Sequence, residues 1–159
     1  MSSVAEKLVT FRLGQDYFAA DVHAVERVLR YSLPTSVPDM PPYIEGVMDY
    51  LGRVVPVVNL RRRFELPPME VGAEMRTLIL NVSGEWIGAV VDAVTEVAPF
   101  LPTDVSAPPK LFRGLAGTYL KGIVRRDNRL VMFLDVEQLL SSTDRIALQD
   151  AGAEALAND

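Results

Sequence analysis

The chain has 159 residues, 49% of them hydrophobic, a formal charge of −5 and a pI near 4.9. That is enough apolar material for one medium domain or two small fused ones, and the acidic balance disfavours nucleic acid, whose phosphates need a positive face. There is no cysteine and only one histidine, His23, so disulfides, thiolate sites and the common zinc sites drop out, and acids scattered singly form no carboxylate metal site.

Residues 1–6 are small and polar and read as a loose end. Leu8, Val9, Phe11 and Leu13, with Thr10 and Arg12 between the later ones, have the period of a half-buried strand. Gly14-Gln15-Asp16 supplies a turn, and Tyr17-Phe18-Ala19-Ala20 returns as the second strand of a hairpin. From Asp21, a good N-cap, the spacing of Val22, Val25, Val28 and Leu29 predicts a short helix, with a strand open as its ending because Val25 to Val28 also alternates. Pro34, Pro38, Pro41 and Pro42 preclude a long regular element, and Leu33, Val37 and Met40 are expected to anchor this connector.

Ile44 to Phe64 reads as two apolar strands joined by a type II turn at Tyr50-Leu51-Gly52-Arg53, followed by a helical turn. Pro56 inside the second strand predicts an edge or a bulge. Thr77 to Val82 and Trp86 to Val91 form another hairpin about Ser83-Gly84-Glu85. A second proline-marked connector follows, with Phe100, Leu101, Leu111 and Phe112 as expected anchors. Leu120 to Leu134 repeats a hairpin about Asp127-Asn128. After Asp135 a helix is expected with Val136, Leu139 and Leu140 inward.

Two ungapped slides reveal an internal repeat. A displacement of 76 lays Ile44 to Phe64 on Leu120 to Leu140, with Gly46 on Gly122, Arg53 on Arg129 and Asn59 on Asp135. A displacement of 69 lays Tyr17 to Val28 on Trp86 to Val97, so the connector is seven residues longer in the second half. Four or five short strands per half are too few for an open sheet buried on both faces, so a small closed barrel per half is the expected solution, with a groove between the two.

Chemistry is sparse. His23 has no serine and acid arranged around it to argue for a triad, and Gly84 to Gly88 lies inside a hairpin rather than at a strand-to-helix turn, so an enzyme is not expected. Arg61-Arg62-Arg63 reads as a solvated helical face, the alternative being a surface that fits an acidic patch on a partner. Trp86 matches Tyr17 in the repeat, which favours a structural role, and Asp92 matches His23 with no physical reason to assign function to either.

Several motifs in order resemble the CheW coupling proteins of bacterial chemotaxis. These are Phe11-Arg-Leu-Gly with Tyr17-Phe-Ala-Ala-Asp-Val, Pro42-Tyr-Ile-Glu-Gly-Val47, Gly52-Arg-Val-Val-Pro-Val-Val-Asn-Leu-Arg61, Gly88-Ala-Val-Val-Asp-Ala-Val94, and Tyr119 to Leu140. The resemblance implies a mostly β chain of two pseudo-symmetric five-stranded SH3-like barrels packed side by side with short helical turns, and the Ala-rich stretch Ile146 to Leu156 separately predicts a C-terminal helix. One domain would span 7–140, its repeats about 8–68 and 77–140 with exchange of terminal elements left open, and 141–159 would be a helix or tail. It also implies a non-catalytic scaffold without cofactor or metal, joining the cytoplasmic tip of chemoreceptors to the regulatory domain of a CheA-type histidine kinase and able to build rings with it. The expected location is cytoplasmic, at membrane-associated receptor arrays. The N-terminus has no basic segment before an apolar core, and no apolar run approaches the ~20 residues of a spanning helix.

Carried over by motif, Val25, Arg27, Val28, Gly46, Val47 and Val91 fall on groove or contact surfaces, with core packing the competing reading for the valines. The turn Asp49, Leu51, Gly52 and Arg53 is where this chain leaves the family pattern: Leu51 stands where an arginine is usual, and Arg27 where an acid is frequent. The alternatives are the same adaptor in a non-flagellar pathway such as surface motility, development or biofilm formation, and a double barrel that binds a small ligand.

Overall fold

The computed structural model describes residues 6–107 and 118–139. Among these the strands are β1 (Glu6–Leu13), β2 (Asp16–Asp21), β3 (Val25–Arg30), β4 (Ile44–Tyr50), β5 (Arg53–Asn59), β6 (Arg76–Val82), β7 (Glu85–Val91), β8 (Ala93–Phe100), β9 (Val105–Ser106), β10 (Leu120–Arg126) and β11 (Arg129–Leu134), with one short helix, α1 (Leu60–Arg63). They form a six-stranded sheet in the order β8-β1-β2-β11-β10-β9 and a five-stranded sheet in the order β3-β6-β7-β5-β4.

Neither sheet is confined to one half of the chain. The hairpin β1–β2 joins β11 through a parallel ladder, and the hairpin β6–β7 joins β5 through another. Each sequence half thus lends its leading hairpin to the other half's sheet, and a barrel per half is not what forms. Both slides survive in the registers. Gly46 faces Val57 and Gly122 faces Phe133, while Leu78 faces Ala89 and Val9 faces Ala20. The parallel pairs Val57 with Gly88 and Phe133 with Ala19 obey both displacements at once.

Each sheet closes on itself. A 3₁₀ turn at Pro102–Asp104 carries the chain from β8 to β9, the two outer strands of the six-stranded sheet. In the other sheet the chain leaves β3 and Thr35 exchanges both backbone hydrogen bonds with Val47 of β4 at 2.8 Å. Closure removes the exposed edges that two small sheets would otherwise present.

The central strands carry apolar residues on both faces because both are covered, whereas β3 leaves four of its six residues exposed. One face lines its own barrel: Leu8, Ala19, Phe100, Val124, Val131 and Phe133 in the first, Val57, Met75 and Val90 in the second. The other face enters a shared cluster between the barrels that includes Phe11, Phe18, Ala20, Leu78, Leu80, Ile87, Ala89 and Val91. Rings cross this joint in series, Phe11 on Phe18 at 6.0 Å, Phe18 on Phe64 at 5.6 Å and Phe64 on Tyr119 at 5.4 Å.

Several local expectations are corrected. Leu51 (φ 52°) and Gly52 (φ 79°) both take positive φ, as do Asp127 and Asn128, so both turns fit type I′, whose twist matches the strands, rather than type II. Asp21 does cap a turn, but it is one 3₁₀ turn, Val22–Ala24, and the strand ending prevails. Pro56 lies on an interior strand, not at an edge. Val47 opposite it spends both backbone groups on Thr35, and the ladder to β7 begins only at Val57, so the missing N–H falls outside both ladders. Leu33 is 83% exposed and anchors nothing, whereas Met40 packs on the central cluster. Asp135 caps only a 3₁₀ turn, Val136–Gln138, with Val136 and Leu139 buried. Leu111, Phe112, Leu140 and the C-terminal helix expected in 141–159 lie outside the described residues.

Candidate interaction surfaces

The arginine run is not a solvated face. Asn59 ends β5 and caps α1 by accepting from the Arg62 N–H at 3.0 Å, which turns the three arginines in different directions. Arg61 reaches Asp92 on the link between β7 and β8, donating from Nε at 2.9 Å and from Nη2 at 2.5 Å. Asp92 also accepts from the Gly14 N–H at 2.6 Å in the β1–β2 turn. Arg61 further donates to the Pro67 carbonyl at 2.7 Å. One guanidinium thus ties α1, the chain crossing between barrels and the opposite barrel's turn. Burial by itself pushes the Asp92 carboxyl up, but the hydrogen bonds from Arg61 and Gly14 outweigh it and hold the group below its usual 3.8. Arg63 instead lies over Tyr43 at 4.2 Å and Tyr119 at 5.1 Å, two residues related by the 76-residue slide, so it sits across the pseudo-twofold joint.

A second network stiffens the five-stranded barrel. Tyr31 donates to Glu45 at 2.7 Å, and the Asn59 amide donates to the other carboxylate oxygen at 3.1 Å. Burial first, then the bond to Glu45, pushes the Tyr31 phenol up to about 12. These charges are satisfied internally. The depression beside Arg61, lined also by Asn59, Met69 and Asp92, offers ions already bonded to one another.

The β4–β5 tip projects an apolar side chain. Leu51 is 73% exposed in a left-handed conformation that L side chains other than Asn and Asp seldom adopt. Asp49 steadies the turn by accepting from the Gly52 N–H at 3.0 Å. Behind the tip Tyr50 tilts against Trp86 at 5.2 Å, and Arg53 lies over the indole at 4.2 Å. The repeat builds the same pair in the other barrel, Arg129 over Tyr17 at 4.1 Å, where Asp127 replaces Leu51 at the tip.

The residues expected at contacts therefore divide. Arg27, Val28, Asp49, Leu51, Gly52 and Arg53 are exposed, and Val25 and Val47 are half-buried. Gly46 is buried with φ 153°, and a Cβ there would stand 2.0 Å from the Thr35 carbonyl oxygen, so its role is to let two backbones meet. Val91 is fully buried in the central cluster and offers no surface to a partner. The residues also fall in two places, the β3 flank and the β4–β5 tip. The Arg61–Asp92–Gly14 clasp was missed by sequence reading. The one usable signal was an acid within an apolar strand exit, Val90-Val91-Asp92-Ala93, where an unpaired charge would be costly.

Comparison with known proteins decides the family. The CheW-like domain model matches residues 7–144. This chain belongs to the CheW-like family. Among its relatives, "Chemotaxis protein CheW" of Treponema pallidum is 30% identical over 142 residues, covering 87% of this chain and 84% of that one. The protein of the same name from Klebsiella aerogenes is 28% identical over 153 residues, covering 96% and 92%. "Protein FrzA" of Myxococcus xanthus is 28% identical over 146 residues, covering 90% of each. The crystal structure of the scaffolding protein TtCheW from Thermoanaerobacter tengcongensis superposes with a TM-score of 0.82 at 25% identity, covering 90% of this chain and 92% of that one. The CheW-like fold accounts for the paired SH3-like barrels, and the chain is a chemotaxis adaptor of the scaffold type. No helix among the described residues is long and apolar enough to cross a membrane, and no cluster of three or more metal-ligating side chains occurs among them.

Proposed function

We propose that this chain is a non-catalytic cytoplasmic scaffold that couples the cytoplasmic tips of chemoreceptors to the regulatory domain of a CheA-type histidine kinase, recruited to membrane-associated arrays and able to enter rings with the kinase. The carrying observation is the CheW-like match over residues 7–144 together with a fold superposable on a named scaffolding protein. Asp92 is engaged in holding the barrels together and Glu45 in bracing the five-stranded one, which supports binding rather than chemistry. The contact surfaces are the β3 flank, with Val25, Arg27 and Val28, and the β4–β5 hairpin, with Val47 and the tip Asp49 to Arg53.

The exposed Leu51 and Arg27 favour a partner pair other than the standard motility one, or a kinase with compensating changes. Leu51→Arg and Arg27→Glu, tested by pull-down with the kinase encoded beside this gene, are expected to weaken that pairing, and unchanged capture would remove the idea. The scaffold reading itself predicts a complex with the kinase regulatory domain on gel filtration. A thermal shift with small metabolites and no such complex would favour a ligand-binding double barrel instead.

A further inference from the structure

Along β3 and β6 the facing pairs are Val25 with Leu80, Val28 with Leu78 and, at the end, Arg30 with Arg76. Leu78 and Leu80 belong to the cluster between the barrels, so the strand period puts Arg30 and Arg76 on that same face, at its outer rim. Directly facing side chains have Cβ atoms only about 4.5–5.5 Å apart, and like charges there repel. Among the described residues no carboxylate lies within ion-pair distance of either guanidinium. Arg76 is nevertheless held in place, its Nη1 donating to the Ala73 and Met75 carbonyls at 2.9 Å each. Arg30 is exposed, and Val28, two residues before it on the same face, is 40% exposed. The equivalent pair in the other barrel is Lys7 with Pro99, one cation where this flank has two. The fold therefore does not require the double arginine.

We infer that Arg30 and Arg76 together receive a carboxylate from an acidic, amphipathic segment of a partner protein, with Val28 receiving an apolar side chain of that segment. Guanidinium forks match carboxylates in geometry as well as charge. Val28 and Arg30 are two strand positions apart, about 6.6–6.8 Å, a span that alternate residues of an extended segment or residues one helical turn apart can match. The chain's net charge of −5 disfavours a polyanion such as nucleic acid or an anionic lipid surface, and a single carboxylate beside an apolar residue avoids that penalty. The inference rests on the coupling reading above and names the chemistry a receptor or kinase must present.

The test uses the full chain with two probes, the chemoreceptor cytoplasmic fragment and the kinase regulatory domain encoded with it. Arg30→Glu turns a repelling pair into an attracting one, so Tm is expected to rise by about 1–3 °C while affinity for one probe falls at least about tenfold. A purely structural role would move both in the same direction. Arg76→Gln, which keeps a donor for the Ala73 and Met75 carbonyls, should weaken binding with the fold intact, and wild-type binding should fall with added salt. Arg125→Glu, an exposed cation on β10, should leave affinity unchanged. Wild-type binding that persists undiminished in both Arg30→Glu and Arg76→Gln would overturn this inference alone, as would an equal loss in Arg125→Glu. Wild-type protein that binds neither probe would overturn the coupling reading and this inference with it.

Discussion

Asp92 shows how one side chain can hold two barrels. It is 5% exposed, and its two carboxylate oxygens take three hydrogen bonds, two from Arg61 and one from the Gly14 backbone. Removing the acid strands a largely buried guanidinium, so Asp92→Ala is expected to cost about 3–5 kcal/mol in denaturant unfolding. The folded-state pKa lies below the ordinary 3.8, so the unfolded chain binds the proton more readily. The stability from this group is therefore full above about pH 4 and is lost as pH falls through the folded-state value. Asp92→Asn should flatten that acid limb of the stability curve; a limb as steep as in the wild type would show that other carboxylates set it. This clasp was hidden in the sequence because Arg61 and Asp92 are distant in the chain and meet only through the crossover between barrels. Arg61 looked like one of three equivalent cations, and the repeat matched Asp92 to an unremarkable His23.

At the scale of elements, two glycines mark where a strand passes closest to the connector. A Cβ on Gly46 would meet the Thr35 carbonyl oxygen at 2.0 Å with φ at 153°, whereas one on Gly122 would meet the Ser106 oxygen at 2.6 Å and Val105 Cγ1 at 2.5 Å. Gly46→Ala is expected to destabilise by at least about 2 kcal/mol and more than Gly122→Ala, because it adds backbone strain to the clash. Calorimetry on the two variants checks the order. Leu51→Asn should act oppositely, raising stability by about 1 kcal/mol through relief of the left-handed conformation while deleting the projecting apolar side chain. A variant that gains Tm and loses partner binding would mark Leu51 as kept for contact. The hairpins were legible in the sequence because their two-residue period and turn chemistry are local. The turn type was not, since a leucine at positive φ gives no sign of it, and Pro56 misled because its partner strand's other neighbour, Thr35, is far along the chain.

For the whole molecule, the repeat was readable because Gly46 and Gly122, and Arg53 and Arg129, align without gaps, but which hairpin completes which barrel was not. The answer lies in the two parallel ladders, β2 with β11 and β5 with β7, which no local pattern encodes. A chain cut in the 67–74 connector should therefore give two fragments that are each unfolded alone by circular dichroism and recover structure when mixed. A fragment that folds alone would contradict the exchange of hairpins. The same topology sets an order in time. On the ribosome, β1 and β2 emerge before the other described strands, yet Tyr17 cannot find Val131 until almost the entire described chain has been made. The five-stranded barrel can close once β7 is out, while the first hairpin still waits with both flanks unpaired, β1 for β8 and β2 for β11, a template for wrong pairing during synthesis. Among the described strands, the earliest hairpin is the one whose final neighbour is made last.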